Sequence, residues 1–158
     1  MPATYEPIAT TTLSSSAASY TFSSIPLTYT DLILVASTKN TVFEILNLQF
    51  NGDTGSNYSW TTLAGNTSSA SSGRNSSNTA MNIGLRRNGM APNVFHIMNY
   101  SNTTTYKTVL ATANSASDQI RLNVGLWQST SAISSIKITA GNDFTAGTMF
   151  TLYGIKAA

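Results

Sequence analysis

The chain has 158 residues and a net charge of +2, and only 9% of its residues are charged, against about 25% in an average globular protein. Serine (22), threonine (24) and asparagine (15) fill the deficit, while hydrophobic residues stay at 41%. This composition excludes the usual form of intrinsic disorder, which combines high charge with few apolar residues. The absence of cysteine excludes disulfides, thiolate chemistry and cysteine-ligated zinc.

The cationic residues are scattered along the chain, and only Arg86 and Arg87 are adjacent. A nucleic-acid site needs clustered cations that displace the counterions of phosphates, so we expect no nucleic-acid partner. The longest strictly apolar run, Leu32–Ala36, is far shorter than the roughly 20 residues of a membrane-spanning helix. The N-terminus has neither the basic nor the apolar region of a signal peptide, and we therefore expect no membrane insertion.

The chain begins with a polar stretch, residues 1 to about 18, which is predicted to form an arm. Strand candidates follow at "SYTFSSI", "DLILVAS" and "EILNLQF". In "EILNLQF" the side chains of Leu46, Leu48 and Phe50 alternate with polar residues and are predicted to face the core. The continuous apolar run in "DLILVAS" predicts a strand that is covered on both faces.

The next segment, "FNGDTGSNYSW" at residues 50–60, has the polar composition of a metal loop, a ligand loop or a simple turn. The segment does not match a calcium loop of the EF-hand type. Counted from Asp53, the third and twelfth positions are Gly55 and Ala64, which carry no side-chain oxygen for calcium. Asn51-Gly52 instead predicts a tight turn that Asp53 caps through its own backbone, with Gly55 supplying a positive φ.

Residues 65–79, "GNTSSASSGRNSSNT", contain no large apolar side chain. This low-complexity segment predicts a loop that is either mobile or ordered by a partner.

The C-terminal half contributes six more candidate strands: "TAMNIGL", "NVFHIMNY", "YKTVLATA", "IRLNVGLW", "ISSIKIT" and "MFTLYGIK". In "IRLNVGLW" the residues Ile120, Leu122, Val124 and Leu126 share one face, which is predicted to be the core face, and Trp127 is predicted to lie opposite. About nine short strands separated by turns predict an all-β fold. We expect a single domain over residues 1–158, built as one antiparallel β-sandwich or jelly roll of about 8–10 strands.

Catalytic chemistry has few candidates. The only histidine, His96, lies on a predicted strand and is interpreted as a packed residue with a satisfied ring nitrogen. No two carboxylates lie within four positions of each other, the nucleophile motif G-x-S-x-G is missing, and the glycines form no phosphate-binding fingerprint. We expect no enzymatic activity, no catalytic residues, no metal and no cofactor.

Aromatic and amide side chains leave binding as the open class of function. Asp53, Tyr58, Trp60 and Trp127 are the candidate contacts for a glycan or for a subunit interface. Tyrosine and tryptophan are enriched at interfaces, which favours the interface interpretation over the glycan interpretation.

Four strings carry a resemblance: "FNGDTGSNYS", "HIMNYSNTTTYKTVL", "VGLWQSTSAISSIKIT" and "GTMFTLYGIKAA". As a set they resemble small virion proteins and fibre-tip domains of tailed phages, particularly cyanophages and other marine phages. The resemblance implies a non-enzymatic protein of the particle surface with a β-sandwich or jelly-roll fold, commonly trimeric. It implies no catalytic residues, and its members serve as capsid decoration proteins, as head or tail fibres and as receptor-binding tips.

Two functions are therefore expected. The first is a capsid decoration (cement) protein: a homotrimer, assembled in the host cytoplasm, that binds the major capsid protein or another virion protein on the particle surface. The alternative is a tail or head fibre module that recognises host-surface glycan through Trp60, Trp127 and the loop around Asp53. The absence of a coiled-coil or collagen-like stalk favours the first.

Overall fold

The computed structural model describes residues 4–40, 43–86, 89–115 and 119–156. Strands are the only secondary-structure elements in this part of the chain, which confirms the all-β prediction. Twelve strands are present, where about 8–10 were expected. In chain order they are β1 (Tyr5–Thr12), β2 (Ala17–Phe22), β3 (Asp31–Asn40), β4 (Glu44–Phe50), β5 (Tyr58–Asn66), β6 (Ala70–Asn78), β7 (Met81–Arg86), β8 (Gly89–Met98), β9 (Lys107–Ser115), β10 (Gln119–Trp127), β11 (Ile136–Phe144) and β12 (Met149–Ile155).

The strands form two antiparallel sheets of unequal size that pack as a sandwich. The large sheet has eight strands in the order β1-β12-β3-β8-β9-β10-β5-β6, and the small sheet has four in the order β2-β11-β4-β7. Their facing sides form the core, in which Leu34, Phe95 and Phe150 of the large sheet and Leu46 and Ile138 of the small sheet are fully buried. Four strands cannot cover eight, so part of the large sheet's inner face extends beyond β7.

Strand β4 behaves as predicted, whereas the prediction that β3 is covered on both faces is right for one face only. Leu46, Leu48 and Phe50 of β4 are fully buried, which confirms the predicted core face. On β3 the inner face is buried, whereas Ile33 and Val35 on the other face are only half-buried. The outer side of the large sheet therefore stays partly accessible.

The predicted orientation of β10 is wrong. Ile120, Leu122 and Val124 are exposed on the outer side of the large sheet, and Leu126 is half-buried. The opposite set points into the sandwich, including Trp127, which is only 2% exposed. Apolar alternation fixed the period of this strand but not which of its two faces is buried.

Close packing and hydrogen bonding explain the inward face of β10. A Cβ added at Gly125 would overlap the sulfur of Met81 on β7, so glycine lets the two sheets pack closely here without displacing the Met81 side chain. The neighbouring inward residue, Asn123, accepts a hydrogen bond from Thr62 Oγ1 (2.7 Å) and donates one through Nδ2 to Ile83 O (3.0 Å). A polar face can therefore be buried because its donors and acceptors are paired.

Strand β7 is an edge strand of the small sheet, and its free edge lies inside the molecule. Two asparagines of the large sheet supply the hydrogen bonds that a further strand would provide. Asn93 Oδ1 accepts from Leu85 N (2.7 Å) and Asn93 Nδ2 donates to Leu85 O (2.9 Å), while Asn123 bonds Ile83 O. These buried amides satisfy backbone groups that would otherwise be desolvated without partners.

Two segments predicted to lack secondary structure form strands. Within the predicted polar arm, residues 5–12 form β1, which pairs with β12, and β2 begins at Ala17 and pairs with β11. In the predicted loop 65–79, residues 70–78 form β6, which pairs with β5 although its side chains are almost all exposed. Backbone pairing with a neighbouring strand overrides local composition in both cases. Residues 1–3 of the predicted arm, Arg87 and Asp118 lie outside the described residues.

Replacement of Asn93 by alanine should lower the free energy of unfolding by about 2–4 kcal/mol, because the backbone N–H and C=O of Leu85 lose their partners in a buried site. Urea denaturation of the purified chain measures this difference. Asn114→Ala, an exposed asparagine on β9, is the matched control and should stay within about 0.5 kcal/mol of the original chain. Equal effects of the two substitutions would contradict the role assigned to Asn93.

Candidate functional site

The turn after β4 has the geometry that its Asn-Gly pair predicts. Asn51 and Gly52 both have positive φ, 52° and 68°, and Asp53 N donates to Phe50 O at 2.9 Å. Two consecutive positive φ values and this hydrogen bond are features of a type I′ turn, which here leads from a strand of the small sheet to a strand of the large sheet. The tight turn is confirmed, but the expectation for Gly55 is wrong, since Gly52 supplies the positive φ.

Asp53 ties this turn to the large sheet. Its Oδ2 accepts hydrogen bonds from Trp127 Nε1 (2.7 Å) and from Asn57 Nδ2 (2.9 Å), and its Oδ1 accepts one from Gly55 N (2.8 Å). The carboxylate therefore caps the loop, as the sequence predicted, and also fixes the indole at the end of β10. Its acceptor capacity is largely used within the protein.

Tyr58 completes a closed aromatic cluster with Phe50 and Trp127. The Tyr58 and Trp127 rings stack with centroids 6.3 Å apart, and Phe50 lies 5.5 Å from Trp127. The Tyr58 hydroxyl accepts from Phe50 N (3.0 Å) and donates to Asp53 O (3.1 Å). Tyr58 is fully buried and Trp127 nearly so, and therefore neither ring has a face available for stacking on a sugar.

The electrostatics of this cluster follow from burial and hydrogen bonding. Burial acts to raise the pKa of Asp53, but the hydrogen bonds from Trp127, Asn57 and Gly55 outweigh it and hold the pKa below its ordinary value. Burial raises the pKa of Tyr58 to about 12, with a further contribution from the nearby Asp53 charge. Asp53 is thus a stable anion and Tyr58 a stable neutral phenol at neutral pH.

Trp60 lies apart from this cluster, in a polar groove of about 320 Å³ that we call the polar shelf. The shelf forms where the large sheet extends beyond β7, and Trp60 is 8% exposed there. The guanidinium group of Arg121, which also lines the shelf, lies 5.7 Å from the centre of the Phe43 ring. The principal polar and aromatic side chains of the shelf are Trp60, Thr62, Ser71, Asn75, Asn82 and Arg121.

Among the described residues, most of the exposed large aliphatic side chains lie on the opposite side of the large sheet. We call this surface the outer apolar face and define it by Leu63, Val94, Leu110, Ile120, Leu122 and Val124, which are 38–56% exposed. Cross-strand pairing brings Leu122 beside Leu63 and Val124 beside Leu110, so these side chains are contiguous. A shallow groove of about 440 Å³, walled mainly by aliphatic groups, runs across the face.

His96 lies at the margin of the outer apolar face. Its Nε2 is 2.9 Å from Asp31 Oδ2, and Asp31 Oδ1 accepts a hydrogen bond from Asn99 N (2.7 Å). The half-buried His96 is therefore a packed residue with a satisfied ring nitrogen, as interpreted from the sequence.

Within the described ranges, no three His, Asp or Glu side chains come close enough together to hold a metal ion. No helix in the same part of the chain has the length and apolar character of a membrane span.

Sequence reasoning missed both the outer apolar face and the amides that close the β7 edge. A usable signal was present in "LNVGLW", because a glycine and an asparagine on one side of a strand mark a closely packed, hydrogen-bonded face. Of the four predicted site residues, the fold joins Asp53, Tyr58 and Trp127 in one internal network and places Trp60 in the polar shelf.

Comparison with known proteins finds no protein family that matches the chain and no significant match among curated proteins.

Substitution of Asp53 by asparagine should destabilise the protein in a pH-dependent manner. At neutral pH we expect a loss of about 1–3 kcal/mol, because an amide offers one acceptor oxygen to the donors that now share two. A carboxylate with a lowered folded pKa contributes stability above its unfolded pKa of about 3.9 and loses it as the pH falls through the folded value.

The difference in the free energy of unfolding between Asp53→Asn and the original chain should therefore be greatest at neutral pH and should decrease below about pH 4. Urea denaturation at a series of pH values measures it. Asp143→Asn, at an exposed position, is the control and should change the free energy by less than about 0.5 kcal/mol at neutral pH. If Asp53→Asn lowers the free energy of unfolding by the same amount at every pH, the role assigned to the ionised carboxylate is contradicted.

Proposed function

We propose that the chain is a non-enzymatic structural protein of a tailed-phage virion that acts as a capsid decoration protein on the particle surface. The observation that carries the proposal is the outer apolar face. The main contiguous apolar patch of a folded domain is often functional, and such patches serve as binding surfaces for other proteins. A protein built to assemble on a particle requires such a surface.

The resemblance to phage surface proteins supports the same proposal. Three of its strings meet at one end of the sandwich, where Gln128 N donates to Asn57 O and Ile133 N donates to Tyr100 O, both at 2.8 Å. The fourth string contains β12. The strings form much of the framework of the fold, and two of them also contribute Leu110 and Val124 to the outer apolar face.

The proposed partners are other copies of the chain, as a homotrimer, and the major capsid protein or another virion protein. The proposed location is the virion surface, reached after assembly in the host cytoplasm. Low charge suits this role, because association through apolar and neutral polar side chains depends little on ionic strength.

The second candidate function is recognition of host-surface glycan by a fibre or tail-tip module. The polar shelf is the observation that favours it, since hydroxyl, amide and guanidinium groups converge there beside the indole of Trp60. Such groups can hydrogen-bond to sugar hydroxyls, and the guanidinium suits an acidic sugar. In this version of the glycan hypothesis Asp53, Tyr58 and Trp127 hold the fold together, and Trp60 is the one of the four predicted residues that borders the proposed site.

The capsid proposal predicts that the chain copurifies with intact phage particles and occupies a regular set of sites on the capsid lattice. Mass spectrometry of purified virions and cryo-electron microscopy of the same particles measure both properties. In particles assembled without the chain these sites should be empty. Addition of the purified protein should fill them. Intact capsids that neither contain nor rebind the chain would contradict the proposal.

The glycan alternative predicts binding to at least one oligosaccharide on an array that includes neutral and acidic sugars. Asn75→Ala should weaken this binding by about 5- to 10-fold, because one hydrogen-bonding group is removed from the shelf. Asn114→Ala, on another surface, is the control and should bind as the original chain does. Absence of binding to every oligosaccharide, or equal loss in both variants, would remove this alternative.

A further inference from the structure

We propose that the outer apolar face is the surface through which copies of this chain bind one another. This inference deepens the proposed function, and it rests on that function only for the expectation that the oligomer belongs to a particle. It assigns an occupant to the face: a second copy, and not the capsid or an unrelated protein.

The first observation that favours a second copy is the distribution of the exposed apolar side chains. Eleven large hydrophobic side chains are exposed in the described residues, and six of them belong to the outer apolar face. The other five are spread over separate strands and loops and form no comparable surface: Tyr5, Leu27, Phe43, Tyr106 and Met149. The surface of this molecule that best matches an extended aliphatic face is therefore the same face of another copy.

The second argument is charge. In the described part of the chain, the charged or ionisable groups beside the face are His96, which is paired with Asp31, and Arg74, which is opposite Thr61 on β6. His96 lines the groove and keeps Asp31 as its partner, and Arg74 lies at the margin. Burying the six apolar residues against an identical face therefore leaves no ionisable side chain without a partner at the centre, which lowers the main cost of a self-associating interface.

The third argument is area. The exposed fractions of the six residues correspond to on the order of 500 Å² of uncovered surface, and stable interfaces begin at roughly 600 Å² per partner. The exposed Thr61 and Thr112, which line the same groove, supply the remainder. The face is therefore large enough to hold an oligomer together when it is covered completely.

Shape and symmetry are consistent with this occupant. The leucines Leu63, Leu110 and Leu122 line the groove together with smaller side chains such as Val94 and Thr112. Large side chains of a second copy can enter the groove, as in the interdigitated layers of a β-sandwich about 10 Å apart. Contact between the same face of two copies is isologous and is generated by a twofold axis, whereas contacts around a threefold axis are heterologous, so the face joins copies in pairs.

The test compares the full chain with Leu122→Lys and Leu27→Lys by sedimentation equilibrium across the micromolar range. Leu122 is 47% exposed at the centre of the face and Leu27 is 51% exposed on a loop, so both lysines can reach solvent in a folded monomer. We expect an oligomer for the full chain, at least a 10-fold higher dissociation constant for Leu122→Lys, about what loss of a central contact causes, and no change for Leu27→Lys. A monomeric full chain, or equal effects of the two lysines, would overturn the inference.

Cross-linking keeps the inference testable if Leu122→Lys does not fold. The chain contains no cysteine, so Leu122→Cys and Leu27→Cys each introduce a single thiol. A short bismaleimide should join copies of Leu122→Cys in high yield and copies of Leu27→Cys only at the rate of random collision. A chain that sediments as an oligomer but does not cross-link through position 122 uses another surface, which would overturn the inference.

The outcomes separate this inference from the proposed function. A chain that is monomeric in solution yet occupies the capsid lattice retains the function and loses the inference. A chain that forms oligomers through the outer apolar face but is absent from particles retains the inference and loses the function.

Discussion

The free edge of β7 lies inside the molecule, and its backbone groups must find hydrogen bonds there. Asn93 and Asn123 of the large sheet provide them. Because side chains of a strand alternate between two faces, an inward Asn123 forces Leu122 and Val124 outward. The hydrogen bonds that close the small sheet thus leave an apolar strand face uncovered on the other side. The proposed assembly surface is a consequence of how the sandwich is closed.

The same orientation of β10 decides what its last residue does. With Asn123 inward, Trp127 is also inward, where it stacks on Tyr58 and donates to Asp53. The carboxylate and both rings are thereby used in joining the turn after β4 to the large sheet. The residues that look like a sugar-binding set in the sequence instead connect the two sheets at one end of the sandwich. Ligand contacts, where they exist, must lie elsewhere, and the polar shelf containing Trp60 is the surface with suitable chemistry.

The sequence was sufficient to predict the fold class, most strands, the core face of β4 and the Asn51-Gly52 turn, because these follow from local periodicity and backbone preference. It was insufficient for β6, whose polar residues form a strand through pairing with β5. It also misassigned the two faces of β10, because hydrophobicity favours burying Ile120 and Leu122, whereas the hydrogen bonds of Asn123 and the lack of space at Gly125 are tertiary effects. For the candidate site, the sequence suggested residue types only, because the accessibility of their side chains depends on contacts with distant strands.

Methyl-labelled NMR with a soluble paramagnetic probe measures directly whether the outer apolar face is covered when the protein is assembled. At the concentration where the chain is oligomeric, the methyl groups of Leu63, Leu110 and Leu122 should be protected from the probe, while those of Leu27 should relax as in a monomer. On dilution to the monomer, protection of the first group should disappear. Equal exposure of Leu122 and Leu27 in the assembled protein would contradict the account.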